Sequence, residues 1–299
     1  MEITRILCPT DLSDASAKAW RQAEVLALAT RAELIGLHVA SPLEKAVPGL
    51  SPDAGPPHAG QADDQLRRWC EDASRRGVLA RYVVQVGSPA ACILRSAEDG
   101  GVSLIVMGTH GHGGFEHLLL GSVAEKVLRK ASCPVLTVPP HASDRPAPAF
   151  TRVLCGVDFS DASVAALRAA ADLARGAGGE IIAVHVLEWP WNEGPEPRFE
   201  GIPPAQAAAL AEYRRYAETS ARARLAGLLA ECGPHPHPAD SRVVHGHADT
   251  ALLTVAAGEQ ADVIVLGVRG RRALELNVLG STANQVVRRA PCPVLTMRG

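Results

Sequence analysis

Gly108-Thr-His-Gly111 is followed, after nine further residues, by Gly121-Ser122, and Gly267-Val-Arg-Gly270 is followed at the same distance by Gly280-Ser281. Glycines placed after an apolar strand let the main chain turn sharply and approach a ligand with no Cβ in the way. A Gly-Ser pair that opens a helix presents amide hydrogens without intrahelical partners, at the end where the helix dipole favours an anion. The chemistry such a loop performs is the holding of a phosphate chain. A plain turn and helix cap would use the same residues, because Ser122-Val-Ala-Glu125 has the form of a capping box and Ser281-Thr-Ala-Asn284 has half of it. A carboxylate precedes each loop, Asp11 in CPTDLSD and Asp158 in CGVDFSD. Each can accept hydrogen bonds from a ribose or a base, or cap the following helix together with Ser13 or Ser160. Both uses of each motif stand at this stage.

These residues recur because the chain is a duplication. Ile6 to Val39 aligns with Val153 to Val186, and Leu104 to Val138 with Val263 to Met297, with a longer central connection in the second copy. The period exceeds any solenoid repeat, so the units are whole domains, expected at 1–140 and 151–299. Residues 141–150 form the linker, within PPHASDRPAPAF, whose prolines sustain neither helix nor central strand.

In each copy short apolar runs alternate with longer amphipathic ones. RILCPT, ELIGLHV, ARYVVQV, LIVMG and PVLTV read as strands, with helices at 13–30, 61–76, 89–98 and 122–130. The second copy repeats them as RVLCGV, EIIAVHV, SRVVHG, VIVLG and PVLTM, with helices near 161–175, 204–231, 248–257 and 281–289. Apolar runs without clean alternation indicate strands covered on both faces, the pattern of parallel sheets with crossover helices. Each half is therefore an α/β domain with a doubly wound five-stranded parallel sheet, and ligands bind such sheets beyond the carboxyl ends of the strands. Residues 41–60 and 188–204, rich in Pro and Gly, read as loops or lids.

The glycine spacing after an apolar strand, the aspartate after the first strand, the HV closing the second strand and the terminal CPVLTV together resemble the universal stress protein family in its tandem two-domain form. The resemblance covers nearly the whole chain. It implies sheets in the order 3-2-1-4-5, like those of adenine nucleotide alpha hydrolases, and ATP or another adenine nucleotide, with or without Mg²⁺, between the first and fourth strands of each. Carried over by position, it assigns Pro9, Thr10 and Asp11 to the adenine and ribose side, Val39 to the base pocket, Met107 and Gly108 to the ribose, and Gly111, Gly121, Ser122 and Val123 to the phosphates. The second set is Gly156, Val157, Asp158, Val186, Leu266, Gly267, Gly270, Gly280, Ser281 and Thr282. It further implies a stress-response regulator or sensor with an unidentified protein partner, and pairing of the two halves into an intramolecular pseudo-dimer that can associate into a homodimer.

The loops differ in charge: His110, His112 and His117 decorate the first, Arg269, Arg271 and Arg272 the second. Histidine gains charge only near its pKa of about 6.5, so nucleotide affinity of the first half is expected to rise towards about pH 6 while that of the second stays level.

Other classes are weaker. No Walker A, Gly-x-Gly-x-x-Gly, Gly-x-Ser-x-Gly or His-Glu-x-x-His pattern occurs, so a dedicated enzyme is not expected, although slow ATP hydrolysis or phosphorylation of Ser122 or Ser281 fits the same site. A nucleotide-free adaptor is the other alternative. Cys232 to Pro238, with His235 and His237, and the nearby His245 and His247 are too irregular for a standard zinc site and read as a solvated loop. With 32 acidic against 30 basic residues and no polybasic block, neither nucleic acid nor an anionic membrane is expected as a partner. No leader or spanning segment is apparent, which points to a cytoplasmic protein. The seven cysteines form no Cys-x-x-Cys pair and read as reduced thiols, Cys8 and Cys155 inside strands, Cys70 and Cys232 on helix surfaces or ends where reactivity is to be tested.

Overall fold

The computed structural model describes residues 2–40, 59–110, 120–142, 150–188, 203–235, 237, 239–268 and 279–298. Most of both expected lids, linker residues 143–149, and the loop residues Gly111, His112, His117, Arg269, Gly270, Arg271 and Arg272 lie outside these. The first half runs β1 (Arg5–Thr10), α1 (Asp14–Thr30), β2 (Glu33–Ala40), α2 (Ala59–Arg75), β3 (Ala80–Val86), α3 (Pro89–Asp99), β4 (Leu104–Gly108), α4 (Ser122–Lys130) and β5 (Val135–Val138). The second repeats it as β6 (Arg152–Gly156), α5 (Asp161–Gly176), β7 (Glu180–Leu187), α6 (Pro204–Glu231), β8 (Asp240–His245), α7 (Ala248–Gly258), β9 (Val263–Gly267), α8 (Ser281–Arg289) and β10 (Val294–Met297).

The strands join into one ten-stranded sheet ordered β3-β2-β1-β4-β5-β10-β9-β6-β7-β8. Within each half the order is 3-2-1-4-5 and every pairing is parallel. The terminal strands β5 and β10 pair with each other antiparallel, Leu136 opposite Leu295, and so lie mid-sheet. The outer edges are β3 and β8, whose residues are mostly half-buried, whereas β1, β4, β6 and β9 are almost fully enclosed.

Successive strand residues point to opposite faces, and each face carries its own core. Ile6, Cys8, Leu104, Leu136, Val153 and Leu295 pack on one side with α1, α2, α5 and α6, and Leu7, Ile105, Val135, Leu154 and Val294 on the other with α3, α4, α7 and α8. Both cores cross the β5–β10 seam, and truncating a leucine such as Leu136 to alanine is expected to cost about 2–5 kcal/mol. Polar bonds to the linker and between the halves add to this packing. Lys18 of α1 donates to Pro140 O (2.6 Å) and Ala142 O (3.1 Å), holding the start of the linker. His141 Nε2 bonds Ala290 O, just past α8, at 2.8 Å, and Arg298 donates to Arg129 O in the last turn of α4.

Candidate functional site

At the carboxyl end of β1 the chain turns through Leu12 at φ 67°, and at the end of β6 through Phe159 at φ 65°. Side chains rarely adopt this region, so the shared shape of both turns is held by specific bonds. Asp11 Oδ1 accepts from Ser13 N (3.1 Å) and Ser13 Oγ (2.6 Å), and Ser13 in turn caps α1 through Ser16 N. Asp158 does the same with Ser160 N (3.0 Å) and Ser160 Oγ (2.6 Å), Ser160 capping α5 through Ser163 N. Serine is thus the cap, and the aspartate orients it. The turns diverge in one hydroxyl: Thr10 Oγ1 is buried, accepts from Leu12 N and bonds Ser16 Oγ at 2.9 Å, while Val157 in the second copy has no hydroxyl.

The glycines at the ends of β4 and β9 fit tightly against these turns. A Cβ on Gly108 would sit 3.3 Å from Ala15 O in the first turn of α1, and one on Gly267 only 2.8 Å from Ala162 C in α5. Close approach therefore fixes glycine there, and it brings the phosphate-type loop alongside the aspartate turn. The loop is closed at its neck by Gly121 N donating to Thr109 O (2.8 Å), and in the second copy by Gly280 N donating to Val268 O (2.9 Å).

Gly121 and Gly280 are the N-caps of α4 and α8, and neither helix has a side-chain cap bond. This corrects the capping-box expectation: Ser122 is already the first helical residue, exposed, and so is Ser281. A helix opened by glycine offers its first amides to whatever enters the crevice.

The remaining assigned residues split by environment. Thr10 closes β1 with Asp11 next to it, Gly108 closes β4, and Gly121, Ser122 and Val123 open α4, while Asp158, Gly267, Gly280, Ser281 and Thr282 take the matching places in the second half. Pro9, Met107, Gly156 and Leu266 are buried in the strands, and Val157 is buried just past the end of β6. A Cβ on Gly156 would lie 2.6 Å from Leu266 Cδ2, so this glycine serves strand packing. Val39 and Val186, at the ends of β2 and β7, are half-buried. Gly111 and Gly270 lie outside the described residues.

His38 and His185, the histidines of the HV that closes each second strand, have a role that the motif alone does not assign. His38 Nδ1 bonds Thr10 O at 2.9 Å and His185 Nδ1 bonds Val157 O at 2.7 Å, so each ties the end of the second strand to the residue before the aspartate. A carbonyl acceptor fixes the proton on that ring nitrogen. The signal was present in the LHV and VHV of the two copies, the histidine recurring beside the valine that was noted.

Among the described residues no group of three or more His, Cys, Asp and Glu could hold a metal ion. Both ring nitrogens of His235 are buried without a hydrogen-bond partner, which contradicts a solvated loop at that position, and burial together with Arg175 lowers its pKa. Cys70 is buried, not on the helix surface, and burial pushes its thiol up to about 12; burial likewise raises the half-buried Cys232. Neither is an activated nucleophile. A shallow groove of about 610 Å³, lined by Arg67, Glu71, Arg75 and Tyr82 among others, lies between α2 and β3 at the sheet edge, away from both crevices.

The sequence model of the universal stress protein family matches twice, over residues 2–139 and 149–298. The chain belongs to the universal stress protein family. Two universal stress proteins of Mycobacterium tuberculosis are each 33% identical, over 197 and 195 residues, 65% of this chain and 61% of theirs. The match thus spans less than two thirds of those relatives. Universal stress protein YxiE of Bacillus subtilis is 37% identical over 147 residues, 45% of this chain and 97% of its own. The crystal structure of a universal stress protein from Archaeoglobus fulgidus superposes with a TM-score of 0.70 at 25% identity, covering 100% of this chain and 99% of the other. Tandem family domains explain the repeated crevices, and no helix of the described residues is long and apolar enough to cross a membrane.

Proposed function

We propose that this universal stress protein binds an adenine nucleotide, ATP in the first instance, in each half and acts as a regulatory or sensor module in the stress response. The observation that carries the reading is the repeated juxtaposition of a glycine-capped helix start with the aspartate turn, brought together by Gly108 against Ala15 and by Gly267 against Ala162. The phosphates would take the first amides of α4 and α8, with Gly111, Ser122, Gly270 and Ser281. Ribose and base would meet Asp11 and Val39, or Asp158 and Val186. Mg²⁺ would arrive with the phosphates, since the described residues supply no carboxylate cluster for it. Ser122 and Ser281 stand exposed at the first helical position, where slow phosphoryl transfer would act. Calorimetric titration with ATP, combined with mass spectrometry of whatever nucleotide copurifies, tests the proposal. Two binding events per chain are expected, and silence with ATP overturns it.

One observation favours an adaptor instead. In both turns the aspartate already spends Oδ1 on its own serine, so it serves the fold with no ligand at all. A chain that binds no nucleotide yet retains a protein partner would establish that reading, with the partner and any homodimer still to be identified by crosslinking.

A further inference from the structure

The duplication supplies its own control, because the two turns share a backbone and differ in side chain. Where the first has Leu12, the second has Phe159, and both lie at nearly the same positive φ. Phe159 packs on His185 with ring centroids 4.3 Å apart and planes tilted by 38°. The exposed Arg224 of α6 lays its guanidinium over the same ring, Cζ 4.4 Å from the centroid. His185 is anchored in turn to Val157 O, so arginine, phenylalanine, histidine and main chain form one stack beside Asp158. Among the described residues no carboxylate pairs with Arg224, and Leu12, being aliphatic, offers no ring for a cation to lie on.

We propose that Arg224, held by Phe159, is a selectivity residue of the second crevice: a fixed positive charge, paired with no carboxylate among the described residues, that makes this site favour anionic nucleotides over neutral nucleosides more strongly than the first site does. The proposal rests on the nucleotide reading above and deepens it. An arginine draped on an aromatic face is preorganised, so little side-chain freedom is lost when it meets an anion. Its attraction is long-range and falls as salt shortens the screening length to a few ångströms.

The full chain is titrated with ATP and separately with adenosine, at low and at high salt, as wild type, Arg224→Gln and Phe159→Leu. Wild type is expected to show two ATP affinities at low salt, roughly three- to tenfold apart, converging at high salt. Arg224→Gln should lower the tighter affinity to the weaker while leaving adenosine binding unchanged. Phe159→Leu, which gives the second turn the residue of the first but keeps the arginine, should produce a smaller loss. If Arg224→Gln weakens adenosine as much as ATP, the arginine only braces the turn and the proposal fails. It fails equally if ATP binding is unaltered by Arg224→Gln. Wild type that binds neither ligand overturns the nucleotide reading itself, a result distinct from either of these.

Discussion

Thr137 and Thr296 hold the seam reciprocally: Thr137 Oγ1 donates to Val294 O at 3.2 Å, and Thr296 Oγ1 donates to Val135 O at 3.1 Å, each hydroxyl crossing from its own half to the other. Both threonines are fully buried in the middle of the ten-stranded sheet. A buried hydroxyl has nowhere else to find an acceptor, which is why threonine and not valine ends both PVLT segments.

Replacing either threonine with valine keeps shape and loses one cross-seam bond. Each single change is expected to cost about 1 kcal/mol. The double variant should unfold in denaturant as one cooperative transition at a lower midpoint. Two separate transitions would show that the halves are not coupled through this seam.

The glycines at the crevice differ in tolerance. Gly267→Ala places a methyl 2.8 Å from main chain of α5, where nothing flexible can yield, whereas Gly108→Ala meets its nearest atoms at 3.3 Å. Overpacking of the first kind costs about 1–3 kcal/mol and the second less. Thermal unfolding of the two variants should rank Gly267→Ala below Gly108→Ala, and equal losses would contradict the packing argument.

Glu33 joins the starts of three strands, its carboxylate accepting from Arg81 Nε (2.5 Å) and Arg5 Nε (2.7 Å). The hydrogen bond from Arg81, aided by that from Arg5, holds its pKa below the usual 4.5 against the opposing effect of burial. A depressed carboxylate stabilises the fold above its unfolded value, and that contribution is lost as pH falls through the folded value. Both arginines are partly exposed, so Glu33→Gln is expected to cost only about 1 kcal/mol at neutral pH. Denaturation across the acid range should show wild type and variant converging as pH drops; a constant gap would mean that charge is not the cause.

The seven cysteines are free, and Cys8, Cys70, Cys155 and Cys292 are buried, with burial raising every one of these thiols. Ellman's reagent at neutral pH should find no rapidly reacting thiol among them in the folded chain and seven after unfolding. A fast phase removed by Cys70→Ser would place that thiol nearer the surface than α2 allows.

The duplication, the strand runs and the family were legible because apolar periodicity and glycine spacing are local and occur twice. The meeting of β5 with β10 was also foreseeable, since two short apolar strands at the ends of their sheets need partners. Cap identity was not: whether Gly121 or Ser122 caps α4 depends on one residue's dihedrals, and Gly121 at ψ 139° takes the half-in position. The burial of Cys70 was readable in retrospect, since Ala62, Leu66 and Cys70 recur every four residues along one stripe of α2. The bonds from His141 to Ala290 and from Arg298 to Arg129 span 149 and 169 residues and left no local trace. The stack of Arg224 on Phe159 likewise joins elements that only the fold brings together.

The antiparallel joint has a consequence for how the molecule is approached. Strands within a half all run one way, and reversal at β5–β10 points the other half in the opposite direction. The two mouths therefore look out from opposite ends of the slab. A rigid body seated over one mouth would leave the other open.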